Sequence, residues 1–215
     1  MQEKIVNRIE AGRSLAKHLI SYKQRDDVIL LALPRGGVPI AYEIARVLEL
    51  PLDVIIVRKL GIPHHKEFAM GSVAQGGICI LNKEIINLYK ISDQAVARVV
   101  ESELHELNRR ENLYRDNCSP PELQGKCVIL VDDGLATGST MEAAIQAVKR
   151  QGAGKVVIAV PVASSHALQK FKTYTDEIIC LIASESFQSV GQWYEEFPQV
   201  SDEEVLHFLR LSKRS

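Results

Sequence analysis

Short continuous apolar runs recur along the chain, and most are followed by a polar loop and then by a segment of helical periodicity. The five runs lie at 28–33, 51–57, 128–131, 156–160 and 177–182. A short continuous apolar run is typical of a strand that is covered on both faces. Because helical segments alternate with these runs, the pattern predicts an α/β fold: a doubly wound, mainly parallel five-stranded sheet with helices on both faces.

The helical segments are those in which apolar positions repeat every three to four residues. They lie at 3–21, 38–48, 92–114, 139–150 and 166–172. The sequence Ser201-Asp-Glu-Glu204 is a capping box, which predicts the start of one more helix near the C-terminus.

Two regions fall outside the alternation of strands and helices. Residues 58–117 contain a polar stretch with glycines, a short hairpin and a long charged helix, and residues 183–215 contain an irregular aromatic segment and the last helix. We therefore expect a single domain over residues 1–215. Its core would span about 22–57 and 125–182, with the other two regions attached to it.

Composition and charge narrow the classes of function. The formal net charge of −1 gives no support for a protein that binds nucleic acid or membranes through bulk charge. No apolar run approaches the roughly 18 residues that a membrane-spanning helix needs, and the N-terminus lacks the apolar core of a signal peptide. The four cysteines lie far apart, without a CxxC pair: Cys79, Cys118, Cys127 and Cys180. This spacing favours inert thiols in a reducing cytosol, so a cytoplasmic location is expected.

The segment VILVDDGLATGST, residues 128–140, follows a predicted strand and leads into a predicted helix. Its loop offers small side chains, hydroxyls and backbone N–H groups at a helix start, which together form a cup for phosphate. The cup residues are Ala136, Thr137, Gly138, Ser139 and Thr140. The segment argues against a nucleotide P-loop, because the glycine spacing is one residue short and the lysine is missing.

Two aspartates, Asp132 and Asp133, precede this cup and would repel phosphate oxygens. Carboxylates do accept hydrogen bonds from the vicinal hydroxyls of a ribose. The loop therefore fits a ribose 5-phosphate, with the phosphate in the cup and the 2- and 3-hydroxyls on the acids. The alternative is a plain helix cap, since Ser139 and Glu142 have capping-box spacing, but capping does not account for the two aspartates.

These segments resemble those of a known family. VILVDDGLATGST resembles the phosphoribosyl-pyrophosphate (PRPP) signature of the type I phosphoribosyltransferases, LALPRGGVPIA their pyrophosphate loop, and VIIVRKLG the strand that leads to their catalytic flap. EFAMGSVA and SVGQWYEEFPQVSDEEV further resemble a poorly characterised bacterial subgroup of predicted phosphoribosyltransferases. The resemblance implies transfer of ribose 5-phosphate from PRPP to a small acceptor, usually a nitrogenous base, with Mg²⁺ and release of pyrophosphate.

The chemistry of this reaction assigns roles to the charged residues. Asp132 and Asp133 would stabilise the positive charge that develops on the sugar, and either could take part in holding Mg²⁺, although Mg²⁺ is expected mainly on PRPP and water. Arg35, Gly36 and Gly37 would bind pyrophosphate through a guanidinium and closely approaching backbone N–H groups, and the resemblance implies a strained, often cis, peptide there. Arg58 and Lys59 are expected to join the catalytic set, with a solvated strand end as the alternative.

The flap is expected at residues 60–76, where it would close over the reacting centre and exclude water. It contains His64 and His65, which we interpret as ordinary loop residues, while Lys66 and Glu67 stay ambiguous. Ser164-Ser165-His166 lacks a nucleophile elbow and is interpreted as a helix cap.

The acceptor is expected in the C-terminal region, which forms a hood against the sheet edge in the resembled family. An aromatic platform there could stack on a base, although such rings are also typical of a small local core. The candidates are Phe187, Trp193, Tyr194 and Phe197.

Three functions remain open at this point. The first is a phosphoribosyltransferase, the second a PRPP- or nucleotide-sensing regulator with little or no catalysis, and the third the reverse reaction on a nucleotide. The resemblance also implies a homodimer. The sequence does not identify the acceptor.

Overall fold

A parallel five-stranded sheet forms the centre of the computed structural model, which describes residues 4–63, 65–115 and 119–213, and only the backbone of 65–68. The strands of the central sheet are β1 (Val28–Ala32), β2 (Leu52–Val54), β6 (Cys127–Val131), β7 (Lys155–Ser164) and β8 (Glu177–Ser184). They lie side by side in the order β2-β1-β6-β7-β8. The prediction of a doubly wound, five-stranded parallel sheet is confirmed.

Helices cover both faces of this sheet. The helices of the described chain are α1 (Arg8–His18), α2 (Gly37–Leu48), α3 (Lys83–Leu88), α4 (Asp93–Arg115), α5 (Ser139–Arg150), α6 (Ser165–Phe171) and α7 (Asp202–Ser212). Of these, α3 and α4 pack mainly on a second sheet that is described below. Alternate residues of β1 enter two different cores: Leu30 packs among side chains of α1 and α2, and Leu31 among those of α5 and α6. This two-sided burial is why the strand runs are apolar without interruption. None of the described helices combines the length and apolar character that crossing a bilayer demands.

A second, antiparallel sheet lies outside the central one and contains β3 (Val57–Ile62), β4 (His65–Ala74) and β5 (Ile78–Leu81). The prediction of one strand over 51–57 is therefore wrong at its C-terminal end. The backbone N–H of Ile55 still bonds to the carbonyl of Ala32 in the central sheet, but Ile56 pairs with Gln75. The chain leaves the central sheet at this point and continues into β3.

The N-terminal helix is shorter than the predicted 3–21. It begins at Arg8 because the side chain of Asn7 accepts a hydrogen bond from the N–H of Glu10 and ends the extended segment. The preceding Ile5 instead pairs with Tyr194, and the N–H of Glu196 bonds to the carbonyl of Val6. The start of the described chain thus forms a strap on the C-terminal region.

That C-terminal region, residues 183–213 of the described chain, is called the hood below. It contains a 3-10 helix at Val190–Trp193 and the helix α7, whose predicted capping box at Ser201 is confirmed. A side chain at Gly134 would lie 2.6 Å from Val190 of the hood and 2.8 Å from Val162 of β7. The hood therefore packs directly on the loop that follows β6.

Candidate functional site

The loop between β6 and α5 is anchored to the end of β7. Leu135 donates its N–H to the carbonyl of Val162 at 2.9 Å and accepts from the N–H of Ser164 at 2.9 Å. The hydroxyl of Ser164 donates to the carbonyl of Ala136 at 2.7 Å and accepts from the N–H of Ala167 at 3.1 Å. Ser164 is therefore the helix cap that the sequence predicted, and it also fixes the middle of the loop.

The predicted phosphate cup lies at the N-terminus of α5. Four of its residues are exposed and Gly138 is buried; the exposed ones are Ala136, Thr137, Ser139 and Thr140. The alternative reading of Ser139 and Glu142 as a capping box is wrong, because the N-cap is Gly138 in the left-handed region and makes no side-chain capping bond. The Glu142 carboxylate pairs with Lys170 instead, at 2.6 Å. The first turn of α5 thus presents N–H groups without a side-chain cap, which suits an anion.

Gly138 is also required by the fold. Its φ is +72°, and an added Cβ would lie 2.4 Å from the ring of Phe171. A larger residue would strain the backbone and collide with α6 before it crowded a phosphate. Substitution of Gly138 therefore cannot test the cup separately from the fold.

Asp132 and Asp133 lie at the carboxyl end of β6, directly before the cup. The Asp132 carboxylate accepts the N–H of Asp133 at 2.8 Å, and the carbonyl of Asp133 accepts the hydroxyl of Tyr194 at 2.7 Å. Burial and repulsion from Asp133 raise the pKa of the Asp132 carboxyl well above its ordinary range, and Arg8 opposes this shift. Burial, followed by repulsion from Asp133, also raises the pKa of Tyr194. Tyr194 therefore remains a hydrogen-bond donor.

Arg8 of α1 completes the acid cluster and is not among the site residues predicted from the sequence. Its Nε and Nη2 donate to Oδ2 of Asp133 at 3.1 and 2.7 Å, and its Nη1 donates to the carbonyl of Pro198 at 2.8 Å. The signal was present, because Arg8 occupies the same face of α1 as the buried Ala11 and Leu15. A charged residue on an apolar stripe indicates a buried partner.

The loop 34–37 lies against the acid pair. The N–H of Leu33 bonds to the carbonyl of Val131 at 2.8 Å, and the peptide between Pro34 and Arg35 is cis, as the resemblance implies. A Cβ on Gly36 would fall 1.9 Å from Oδ2 of Asp133, and one on Gly37 would fall 2.4 Å from the carbonyl oxygen of Val131. Both glycines are therefore needed for this close approach between the two loops.

We expect Gly36→Ala to lower the free energy of unfolding by about 1–3 kcal/mol, because Asp133 is held by Arg8 and cannot retreat from the new methyl group. The same displacement should weaken the binding of inorganic pyrophosphate. Chemical denaturation and calorimetric titration with pyrophosphate measure the two effects. Gly76→Ala is the control, since a Cβ there meets open space and only the left-handed backbone is strained. Unchanged stability and binding in Gly36→Ala would contradict the contact.

Arg35 points from the same loop to the hood. Its guanidinium lies 3.9 Å from Oδ1 of Asp202 at the start of α7, and the same oxygen accepts the hydroxyl of Tyr114 from α4. Burial and the bond to Asp202 raise the pKa of Tyr114, so the phenol stays protonated. A carboxylate thus already lies beside the arginine that is predicted to bind pyrophosphate.

Arg58 and Lys59 lie within β3 and not at the end of a central strand, which corrects the sequence interpretation. The guanidinium of Arg58 is held against α4 by Glu103, with Nε and Nη2 at 2.7 and 2.6 Å from the carboxylate. Lys59 lines a cleft of about 560 Å³ between the second sheet and α5, which also contains Ser139 and Thr140 of the cup. Of the two predicted residues, it is Lys59 that the fold brings close to the cup.

The aromatic platform predicted in the hood is buried in part. Trp193 and Tyr194 are only 2% and 3% exposed, which corrects their assignment as acceptor-binding rings and places them in the local core. Phe187 is half-buried and stacks on Trp193 with ring centroids 5.9 Å apart. Phe197 lies under the guanidinium of Arg8, 3.8 Å from it. Phe187 and Phe197 are both half-buried, and the guanidinium of Arg8 covers one face of Phe197.

The predicted flap residues lie partly outside the described part of the chain. His64 lies outside the described residues, as do the side chains of His65, Lys66 and Glu67. Across the described part of the chain, no group of three or more histidine, cysteine or acidic side chains lies close enough together to hold a metal ion. Three of the four cysteines are described, and all three are free thiols.

The chain is similar to several known proteins. Residues 2–195 match the family described as the phosphoribosyl transferase domain. A protein of Mycobacterium tuberculosis H37Rv named "Putative phosphoribosyl transferase Rv0571c" is 41% identical over 208 residues, which are 97% of this chain and 47% of that protein. The chain spans about half the length of the curated relatives named in this way.

Two further comparisons cover most of the chain. The "Bifunctional protein PyrR" of Clostridium acetobutylicum is 29% identical over 161 residues, which are 73% of this chain and 71% of that protein. The crystal structure of the protein TT1426 from Thermus thermophilus matches with a TM-score of 0.83 and 38% identity, over 97% of this chain and 98% of that one.

Proposed function

Since the chain belongs to the phosphoribosyl transferase domain family of transferase enzymes, we propose that it transfers the ribose 5-phosphate group of PRPP to a small acceptor and releases pyrophosphate. One observation carries this proposal. Gly36 of the pyrophosphate loop touches Asp133 of the acid pair, and the phosphate cup begins three residues after that acid. The surfaces proposed to bind the three parts of PRPP therefore lie on one rim of the sheet, which supports the proposal.

The proposed division of the ligand follows from charge. The 5-phosphate binds the N–H groups of residues 136–140 at the start of α5, and the ribose hydroxyls donate to Asp132 and Asp133. The pyrophosphate binds the guanidinium of Arg35 and the backbone of Gly36 and Gly37. Each acid then faces the sugar, and phosphate oxygens lie on either side.

The acid pair supports catalysis through its electrostatics. As pyrophosphate departs, positive charge develops on the ribose, while negative charge accumulates on the leaving group. A negative charge on Asp132 is unfavourable in the empty site, as its raised pKa indicates. It becomes favourable beside a cationic sugar, so the interaction is stronger in the transition state than in the ground state. Lys59 is proposed to act on the phosphate side of the reacting centre.

Mg²⁺ fits the oxygen donors of this rim. The carboxylates of Asp132 and Asp133 are hard oxygen ligands, and an ion held chiefly by the phosphates of PRPP and by water is proposed beside them. When bound, Mg²⁺ would neutralise part of the pyrophosphate charge.

We propose a nitrogenous base as the acceptor. The half-buried ring of Phe187, stacked on the buried Trp193, offers an apolar surface for a flat ring. From the resemblance we further propose that the chain forms a homodimer and that it is located in the cytoplasm. Sedimentation of the purified chain tests the homodimer.

The experiment that tests the function is pyrophosphate release from PRPP and Mg²⁺ with a panel of bases and amines. Release that depends on one acceptor supports the proposal and identifies that acceptor. Tight binding of PRPP without turnover on any acceptor would assign the site to ligand sensing instead. Formation of PRPP from a nucleotide and pyrophosphate measures the reverse reaction at the same site.

Asp202→Asn is expected to strengthen pyrophosphate binding about two- to fivefold at low salt, because a carboxylate that competes for Arg35 is removed. The gain should shrink as ionic strength rises. Calorimetric titration with pyrophosphate and Mg²⁺ at two salt concentrations measures it. Glu49→Gln, which breaks an exposed ion pair with Lys23, is the control. Weaker binding in Asp202→Asn would show that Asp202 positions Arg35 and does not compete with the ligand.

A further inference from the structure

Arg8 links the N-terminal helix, the hood and the acid pair. Its guanidinium makes two bonds to the carboxylate of Asp133 and one to the carbonyl of Pro198, and it lies 3.8 Å from the ring centre of Phe197. The ion pair is largely buried, with side-chain exposures of 10% for Arg8 and 16% for Asp133. All three nitrogens of the guanidinium are thus engaged, and one face is covered.

We propose that Arg8 is a positioning residue that orients the Asp133 carboxylate toward the ribose hydroxyls and so sets the preference of the site for a ribose; this rests on the proposed function. The contact is between Arg8 Nε and Nη2 and Oδ2 of Asp133. Arg8 does not touch the ligand in this arrangement. It acts through Asp133.

The geometry of the carboxylate carries the proposal. Among the described residues, both side-chain donors to this carboxylate come from Arg8 and both reach Oδ2, which leaves Oδ1 to accept a ribose hydroxyl. Oδ2 is also the atom that touches Gly36. Arg8 therefore fixes both the rotation of the carboxylate and its distance from the pyrophosphate loop. A side chain fixed in this way loses little entropy when the ligand binds.

The charge of Arg8 also matches the reaction. Two adjacent ionised carboxylates carry a charge of −2, whereas the sugar acquires one positive charge as pyrophosphate leaves. With Arg8 the three groups sum to −1, which complements that cation.

A purely structural role for Arg8 is the competing explanation, since the same contacts attach α1 to the hood. The two roles differ in what they do to ligands. Loss of a structural contact should affect all ligands alike, or stability alone. Loss of a positioning residue should affect a ligand according to the hydroxyl groups it presents to Asp133.

The test compares ribose 5-phosphate with 2-deoxyribose 5-phosphate by NMR titration of the full chain in Mg²⁺. The variants are Arg8→Met, which keeps apolar contact with Phe197, and Arg8→Lys, which keeps the charge. Arg13→Met is the matched control, because Arg13 lies on the same helix as Arg8 but outside the site. The substitution removes its bonds to Glu10 and Glu43 and so weakens the attachment of α1 without changing the contacts of Asp133. We expect Arg8→Met to weaken the binding of ribose 5-phosphate about tenfold or more, because the hydrogen bond from the sugar to a charged carboxylate is lost or misaligned.

In Arg8→Met the affinity for 2-deoxyribose 5-phosphate should change much less, so that the preference for ribose is lost. Arg8→Lys should keep part of the preference, and Arg13→Met all of it. An unchanged preference in Arg8→Met, or an equal loss for both sugars, would overturn the proposal. If Arg8→Met does not fold, Arg8→Lys decides: a reduced preference supports the positioning role, and a full preference refutes it. A wild-type chain that binds both sugars equally well also overturns the proposal, whereas one that binds neither counts against the proposed function instead.

Discussion

Asp132→Asn is expected to raise the free energy of unfolding near neutral pH, by about 0.5–2 kcal/mol, while turnover falls by about 100- to 1000-fold. Burial and the neighbouring Asp133 raise the pKa of the Asp132 carboxyl, so its negative charge destabilises the empty site. Asparagine removes that charge and still accepts the hydrogen bond from the N–H of Asp133. The variant would gain stability because it gives up the charge on which catalysis depends.

The pH dependence gives the sharper test. For a carboxyl whose folded pKa exceeds its unfolded value of about 3.9, the folded state binds the extra proton. The favourable contribution of this carboxyl to the free energy of unfolding is complete below the unfolded pKa. It is lost as pH rises through the folded pKa. The charged groups that act on Asp132 are Asp133, which favours the proton, and Arg8, which opposes it. The stability gain of Asp132→Asn should therefore be small at pH 4 and largest at pH 8.

Urea denaturation of both proteins at pH 4, 6 and 8, together with pyrophosphate release, measures these effects. A variant that is less stable than the wild type at pH 8 would contradict the electrostatic argument. Unchanged turnover would contradict the role of Asp132 in stabilising the sugar cation.

Asp133→Asn is expected to lower stability and turnover together. The substitution leaves the largely buried guanidinium of Arg8 without a charged partner, which should cost about 3 kcal/mol, the low end of the usual range because the amide oxygen still accepts a bond. The affinity for PRPP and the turnover should fall as well, turnover by about 100-fold or more, since the ribose loses an ionised acceptor. The neighbouring substitutions of Asp132 and Asp133 should thus change stability in opposite directions.

Thermal denaturation measures the stability of Asp133→Asn. Calorimetric titration with PRPP, at a temperature where the variant is folded, measures its affinity. Asp27→Asn is the control, because it breaks an exposed pair with Arg25 just before β1, at the other end of the strands. Wild-type affinity for PRPP in Asp133→Asn would refute the ribose role. Wild-type stability would show that the Arg8 pair contributes little to the fold.

The sequence predicted the central sheet correctly because its signals are local. A run such as 128–131 is apolar on both faces, and the loops after β1 and β6 have glycines at places where a side chain would not fit, as at Gly36 and Gly37. The start of α5 at Ser139 was also predicted. The prediction was wrong where one apolar run continues from one sheet into another. At 55–57 the chain leaves the central sheet and enters the second sheet without any change in the apolar pattern.

By itself, the sequence determined the fold class, the family and the loops of the candidate site, because each of these depends on residues that are adjacent along the chain. The tertiary structure alone decided which distant residues support those loops. Arg8 reaches Asp133 across 125 positions of sequence, and Tyr194 reaches it across 61. No periodicity encodes such pairs, since they arise only when the strap, the hood and the end of β6 pack together. For the same reason, only the structure shows that Trp193 and Tyr194 belong to the core and that the largely buried guanidinium of Arg8 binds the carboxylate of Asp133.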